Sequence, residues 1–200
     1  FVLGLQWLIT NGIIIVEENL ISADADLRVA FIGDQSISEG AIAVLNLIKD
    51  EGADMVLHQG DLDYIDDPDA WDSMISNVLG DDFPYFATPG GHEFRPFGVH
   101  DDTKWDQYQR TLQDRLNKIP GVKCIGDLGI KSSCTYKGLF FTLSSPGLKG
   151  SGHGAFIENQ LNNNDHIWRI CTWERTADLM QVGIKGDFDN WEVYENCKDG

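Results

Sequence analysis

Three ionisable side chains, Asp34, Asp61 and His92, each follow a short apolar run and a glycine. Glycine permits a sharp turn and a close approach of the main chain, so each side chain is placed at the tip of a turn. Carboxylate oxygens at such tips are suited to holding cations. A single Gly-Asp turn is usually structural, but three ionisable turns in succession indicate a common site.

The runs before these turns resemble buried strands, and the segments after them have helical periodicity. Residues 27–32, 54–59 and 84–88 are predicted strands. Helices are predicted over residues 38–51 and from Pro68 onward, because apolar residues recur there every three or four positions. This alternation predicts βαβ units and a mainly parallel sheet.

The remaining periodicity completes the predicted core. Ile42, Leu45 and Ile48 stand at helical spacing in the first predicted helix, and Trp71, Ile75 and Val78 share one face of the second. A further stripe is predicted to be core and consists of Trp105, Tyr108, Leu112 and Leu116. Residues 133–145 predict a strand pair with Lys137-Gly138 as the turn, residues 166–173 a strand, and residues 155–163 and 188–197 helices. The predicted fold class is α/β, with a mainly parallel βαβ core flanked by helices.

The predicted sheet brings the three turns together. In a parallel sheet, functional groups collect in the loops at the carboxyl ends of the strands. We therefore expect Asp34, Asp61 and His92 to lie along one rim, where the two carboxylates would hold a cation.

Composition and charge limit the classes of function. The chain has 200 residues, 42% hydrophobic and 24% charged, which suits one globular domain with a sizeable core. The formal net charge of −17 repels phosphate backbones, so we expect no nucleic-acid partner. A site for anionic groups in such a chain needs local positive charge, and a bound cation is its simplest source.

The four cysteines are Cys124, Cys134, Cys171 and Cys197, and no CxxC pair occurs among them. A structural zinc site is therefore not expected. Cys124 and Cys134 flank a glycine-rich stretch and are suited to a short disulfide loop in an oxidising compartment. Four free thiols in a cytoplasmic protein are the alternative, and spacing alone does not decide between them.

The N-terminal run, residues 1–16, is apolar and uncharged. It is too short for a membrane span, and no basic segment precedes it. Because the sequence does not begin with Met, we expect a fragment or a processed chain. The run is then a remnant of a secretion or anchoring segment, a first strand or a packed extension. We predict an extension over residues 1–26 and one domain over residues 27–200.

The turns and their neighbours resemble a known family. Gly33-Asp34, then Gly60-Asp61-Leu62-Asp63-Tyr64, then Gly90-Gly91-His92-Glu93 are similar to the first three motifs of the calcineurin-like metallophosphoesterases. The GDxxY form of the second motif resembles the purple acid phosphatase branch. The segment from Trp168 to Trp191 resembles a later strand and helix of that family. The resemblance covers roughly residues 27–200 and implies a metallophosphoesterase fold.

The resemblance implies a site in which two metal ions clamp a phosphoester and activate a water molecule. Asp61 would bridge the two metals, and Asp34 and Tyr64 would bind one of them. His92 would stabilise or protonate the leaving oxygen. Hard oxygen ligands with a phenolate suit trivalent iron paired with zinc, manganese or iron.

The chain also departs from the family pattern. Gly91 stands where the family has an Asn ligand, and Glu174 stands where it has a ligand His. The closing GHxH motif, with two further His ligands, is expected beyond Gly200, so the fold is expected to be incomplete at its C-terminal end. Ser36 replaces a Gly, a milder change. Glu174 remains a candidate ligand, because a carboxylate is a hard oxygen donor.

Two functions follow from these matches and departures. The first is a metal-dependent phosphoesterase with an impaired or incomplete dimetal site that binds as few as one cation. Its substrate would be a small phosphomonoester, a related phosphoester or a phosphoprotein. The second is a catalytically inactive phosphoesterase-like binding module. The location is expected to be extracellular or in the secretory pathway, with a cytoplasmic one as the alternative.

The other histidines are expected to play no part in the site. His58 lies inside an apolar run and is predicted to be a hydrogen-bonded core or rim residue. His100, His153 and His166 lie outside the motifs and are predicted on surface loops. His153 follows a Gly/Ser-rich loop that has the alternative of overhanging the site.

Overall fold

The computed structural model describes residues 26–94, 103–175 and 188–199. Its elements in chain order are β1 (Val29–Ile32), α1 (Glu39–Asp50), β2 (Met55–Gln59), α2 (Pro68–Leu79), β3 (Tyr85–Thr88), α3 (Lys104–Leu116), β4 (Lys123–Asp127), β5 (Lys131–Tyr136), β6 (Leu139–Ser144), α4 (His153–Asn162), β7 (Trp168–Thr172) and α5 (Phe188–Asp199). The predicted extension, except Asp26, and His100 lie outside the described residues. In the described ranges, no helix is long and apolar enough to cross a bilayer.

The first sheet contains the three strands that precede the ionisable turns. Its order is β1-β2-β3, and both strand pairs are parallel. The central strand β2 is buried at Met55, Val56 and Leu57, as expected for a strand between two neighbours in a parallel sheet. The predicted βαβ units are confirmed, and the three carboxyl ends meet at one rim.

The second sheet is mixed, with the order β4-β5-β6-β7. Strands β5 and β6 form the predicted hairpin, and Lys137 and Gly138 have φ values of 46° and 79° in its turn. Two successive residues with positive φ fit the twist of a tight hairpin. Strand β7 pairs parallel to β6 after the crossover through α4. Strand β4, an antiparallel edge strand, was not predicted.

The two sheets meet in a shared apolar core. Phe86 of β3 and Phe141 of β6 pack edge to face, with their ring centroids 4.7 Å apart. The four predicted apolar residues of α3 are all buried in this core. The predicted helix α1 is confirmed, and its buried residues are Ala41, Leu45 and Ile48, whereas Ile42 is 40% exposed. Helix α1 has apolar residues on more than one face, so its spacing alone does not select the buried one.

All four cysteines are paired. Cys124–Cys134 joins β4 to β5 at directly opposed positions, and Cys171–Cys197 joins β7 to α5. The structure therefore contains the first predicted disulfide and a second one that was not predicted, and the alternative of four free thiols is wrong. The second bridge closes over a small cluster in which Val193 of α5 packs with Phe140, Ile157 and Leu161.

Candidate metal centre

The rim of the first sheet brings two acidic turns into direct contact. The hydroxyl of Tyr64 donates to Oδ1 of Asp34 at 2.6 Å and lies 3.3 Å from Oδ2 of Asp61. The main-chain N–H of Asp34 donates to the carbonyl of Gly60, which ties the turn after β1 to the turn after β2. Burial and the two carboxylates raise the pKa of Tyr64, because both disfavour a phenolate. Three oxygen groups therefore converge at one point.

His92 lies beside these groups, in the loop after β3. Its main-chain N–H donates to Oδ1 of Asp61 at 3.0 Å, and its Nε2 lies 4.0 Å from Oδ2 of Asp61. The ring packs against Tyr64 with 4.3 Å between centroids. About half of the His92 side chain is exposed (52%), so the imidazole is open to a ligand arriving from solvent.

Glu174, which follows β7, lies against the same turns. A Cβ on Gly60 would lie 2.6 Å from Cγ of Glu174, which shows how closely this side chain approaches the main chain of the site. Burial, with contributions from Asp61 and Asp34, raises the pKa of Glu174 to about 7. Its buried Oε2 has no hydrogen-bond partner, although Nε of Arg175 lies 3.8 Å away.

Glu93 is a buried carboxylate that sequence reasoning quoted in a motif but gave no role. It is 1% exposed, and it accepts three main-chain N–H groups: those of Asp61 at 3.1 Å, Leu62 at 2.8 Å and Gly90 at 2.6 Å. Burial raises the pKa of Glu93 to about 7, against the effect of these donors, which favour the ionised form. The sequence feature that could have marked Glu93 as part of the site is its position directly after His92 in the third motif.

Asp63 is the second buried carboxylate that was missed. Its oxygens accept the main-chain N–H groups of Ile65, Asp66 and Asp67 and the hydroxyl of Tyr108. The loop after β2 therefore folds around the side chain of Asp63. Its signal in the sequence was weak, because an Asp in a turn is common and its partners are main-chain groups.

The adjacent glycines 90 and 91 differ in their surroundings. A Cβ on Gly90 would lie 2.3 Å from the main-chain nitrogen of Asp61, so only glycine fits there. A Cβ on Gly91 would meet nothing within 4 Å. The position where the family pattern has an Asn ligand is therefore sterically open in this chain.

Two other histidines are buried. His58 is fully buried in β2, and its Nδ1 is 2.8 Å from the hydroxyl oxygen of Tyr85, whose proton is donated to Oε1 of Gln35. Burial lowers the pKa of His58 to about 3. The prediction of a surface position for His153 is wrong: it is fully buried at the start of α4, between Ser144 and the carbonyl of Lys149. Both rings have a structural hydrogen-bond partner at Nδ1, while the buried Nε2 of His58 has none.

Comparison with known proteins agrees with the fold and the motifs. The family profile described as Calcineurin-like phosphoesterase matches residues 27–189. The chain belongs to the calcineurin-like phosphoesterase family, as its motifs predicted. Its fold is similar to that of purple acid phosphatase PPD1 isolated from yellow lupin (Lupinus luteus) seeds, with a TM-score of 0.57 and 21% identity. That match covers 86% of this chain and 36% of the lupin chain, and no curated protein matches.

The residues that the structure describes do not fit a two-metal clamp. Within the described ranges, no three Asp, Glu, His or Cys side chains lie close enough together to hold an ion on their own. Gly91 supplies no side chain. The oxygen donors of Asp34, Asp61, Tyr64 and Glu174 do fit one hard cation in chemical type. The buried Oε2 of Glu174, which lacks a hydrogen bond, is consistent with that fit.

Proposed function

We propose that this chain is a metal-dependent phosphoesterase that binds one cation, iron, zinc or manganese, through Asp34, Asp61, Tyr64 and Glu174. The observation that carries the proposal is the Tyr64 hydroxyl, which contacts the carboxylates of both Asp34 and Asp61. Like charges in so small a volume are unfavourable, and a cation would relieve their repulsion. When bound, it would attract the phosphoester and make water a better nucleophile.

The chain's own residues divide the remaining work. Asp34, Asp61, Tyr64 and Glu174 would hold the cation, and the hydroxyl proton of Tyr64 would pass to solvent if Tyr64 bound as phenolate. His92, about half exposed beside Asp61, protonates or stabilises the leaving oxygen. Nε of Arg175, which contacts Glu174, adds a positive charge to an otherwise acidic rim.

The substrate class follows from family membership, and the compartment from the cysteines. A phosphoesterase domain takes phosphoesters, and both a small phosphomonoester and a phosphoprotein suit a rim where His92 is open to solvent. Two disulfides are typical of proteins that fold in an oxidising compartment. We therefore infer that the chain folds in the secretory pathway and acts there or outside the cell.

The test is hydrolysis of a chromogenic phosphomonoester with and without added Mn²⁺ or iron. We expect metal-dependent turnover that Asp61→Ala abolishes. Asp69→Ala, which removes an exposed carboxylate at the first turn of α2, is the matched control and should keep full activity. Equal, metal-independent rates in the wild type and Asp61→Ala would reject the proposal.

A binding module without turnover is the second candidate function. It is favoured by Gly91, which has no ligand side chain, and by Glu174 in place of a histidine. Calorimetry with Mn²⁺ and then with inorganic phosphate separates the two functions. Binding of both without hydrolysis supports the module. Robust turnover by the wild-type chain excludes it.

A further inference from the structure

One carboxylate joins the two loops that carry the proposed cation ligand and proton donor. Glu93 Oε1 accepts the N–H of Leu62, and its Oε2 accepts the N–H groups of Asp61 and Gly90. Asp61 and Leu62 follow β2, whereas Gly90 follows β3. These contacts tie both loops to a single side chain that is almost fully buried.

The loop after β2, which donates two hydrogen bonds to Glu93, has an unfavourable main-chain conformation. Asp61 has a φ of 54° and Tyr64 a φ of 64°, both in the left-handed region that residues with a Cβ rarely adopt. Such conformations persist only where the surroundings fix them, and they often occur at functional sites. The two hydrogen bonds from Asp61 and Leu62 to Glu93 begin at this strained position.

The loop after β3 packs directly against the loop after β2. A Cβ on Gly90 would lie 2.3 Å from the nitrogen and 2.3 Å from Oδ1 of Asp61, so the two main chains are in close contact. The same Oδ1 accepts the N–H of His92. A shift of either loop would therefore change the placement of the Asp61 carboxylate and of His92 together.

We infer that Glu93 is a positioning residue of the candidate site, which holds the Asp61 carboxylate and His92 in one fixed arrangement for the cation and the phosphoester. This inference rests on the proposed function, because it concerns the ligand and the proton donor assigned there. Among the described residues, the Glu93 carboxylate makes no hydrogen bond to the Asp61 carboxylate or to the His92 ring. It acts through the main-chain N–H groups that donate to it.

The test compares the wild type with Glu93→Gln, which keeps the size of the side chain but turns one acceptor into a donor facing main-chain N–H groups. Two quantities are measured: Mn²⁺ affinity by calorimetry, and hydrogen exchange at the amides of Asp61, Leu62 and Gly90. We expect Mn²⁺ affinity to fall about 10- to 100-fold, as for other residues that orient metal ligands, and the three amides to exchange faster.

Asp72→Asn is the matched control, because it alters a carboxylate paired with Arg115 between α2 and α3, outside the site. It should lower the melting temperature without changing Mn²⁺ affinity or exchange at the three amides. A Glu93→Gln protein that is less stable but has wild-type Mn²⁺ affinity would overturn the inference, because Glu93 would then be structural only.

Two further outcomes are decisive. If Glu93→Gln does not fold, Glu93→Asp replaces it; the shorter carboxylate should protect the amides of only one loop, and wild-type exchange at both loops would overturn the inference. If the wild type neither binds Mn²⁺ nor hydrolyses the ester, the proposed function fails. The inference then fails with it, and exchange at Asp61 and Gly90 shows separately whether Glu93 joins the two loops: faster exchange in Glu93→Gln would leave Glu93 a structural link, and unchanged exchange would remove that role as well.

Discussion

The two neighbouring glycines of the β3–α3 loop predict opposite effects of substitution. Gly91→Asn should be tolerated within about 0.5 kcal/mol, because its Cβ would meet no atom within 4 Å. It should also strengthen Mn²⁺ binding, since an amide oxygen is a hard ligand. Gly90→Ala should lose about 1–3 kcal/mol or more, because the new Cβ would strike the main chain of Asp61.

Urea unfolding and Mn²⁺ calorimetry measure both effects. A Gly91→Asn protein that is as destabilised as Gly90→Ala would show that the open space at position 91 does not exist in solution. Combining Gly91→Asn with Glu174→His restores the two ligand types that the family pattern has at these positions. The double variant should bind Mn²⁺ more tightly than Gly91→Asn alone.

Buried titratable groups predict how stability changes with pH. The pKa of His58 is about 3 in the folded chain and about 6.5 in the unfolded chain, so the unfolded chain binds the extra proton between these values. His58 therefore contributes stability that is complete above pH 6.5 and is lost as pH falls towards 3, by up to about 1.4 kcal/mol per pH unit.

Two buried carboxylates change stability in the opposite direction. The pKa values of Glu93 and Glu174 are raised to about 7, so the stability that they contribute is lost as pH rises through 7.

The matched variant that separates these effects is His58→Gln, which does not titrate and still offers Tyr85 a polar partner. The difference in unfolding free energy between the wild type and His58→Gln isolates the histidine. It should increase from pH 4 to pH 6.5, and parallel curves would contradict the assignment.

Much of the candidate site was predictable because its residues lie at the ends of strands. Asp34, Asp61 and His92 occupy turns whose position follows from the strand pattern, whereas Tyr64 and Glu174 were identified only through the family resemblance. The structure places all five at the same rim, and their ligand and proton-transfer roles stay predictions. The role inferred for Glu93 could not be predicted from the strand pattern. Its partners are main-chain N–H groups of two loops, and the sequence does not encode which loops come into contact.

At the scale of elements, α5 is held by two attachments. Cys197 bonds to Cys171 of β7, and Val193 is fully buried against α4 and β6 residues. Replacing both Cys171 and Cys197 with Ser should cost about 3–4 kcal/mol, because the bridge closes a separation of 26 residues. The loss should be concentrated in α5.

Hydrogen exchange across the described part of α5 measures this effect. The matched control replaces Cys124 and Cys134 with Ser; that bridge spans a separation of 10 residues, and its loss should free β4 while α5 stays protected. Equal protection of α5 in the wild type and in the Cys171/Cys197 variant would show that Val193 and its neighbours suffice to hold the helix.

The elements that could not be predicted share a physical cause. Strand β4 reads Lys-Cys-Ile-Gly-Asp and is mostly exposed at a sheet edge, so no alternation of apolar and polar residues marks it. The bridge between Cys171 and Cys197 depends on α5 packing beside β7, which is a tertiary contact. By contrast, every strand of the first sheet was predicted from a continuous apolar run. The prediction that all three are buried holds for β2 and β3 and is wrong for β1, an edge strand in which Phe31 is 52% exposed.

At the scale of the whole molecule, charge is the dominant feature. The formal net charge of −17 and the sequence pI of about 4.4 mean that repulsion between acidic groups exceeds attraction to basic ones at neutral pH. The same field opposes the approach of an anionic phosphoester, so the proposed cation at the rim would be the more important for capturing such a substrate. It also supports the expectation that nucleic acids are not partners.

Self-repulsion of this size predicts that salt stabilises the fold at neutral pH. Raising NaCl from 0.01 to 0.15 M shortens the Debye length from about 30 Å to about 8 Å and screens the repulsion between surface carboxylates. We expect an increase of about 1 kcal/mol, or about 2–4 °C in melting temperature, for a chain of 200 residues. The same titration near pH 4.4, where the net charge approaches zero, is the control and should show little change. A melting temperature that falls with salt at pH 7 would mean that attractive ion pairs, such as Asp72–Arg115 and Asp54–Lys137, outweigh the net repulsion.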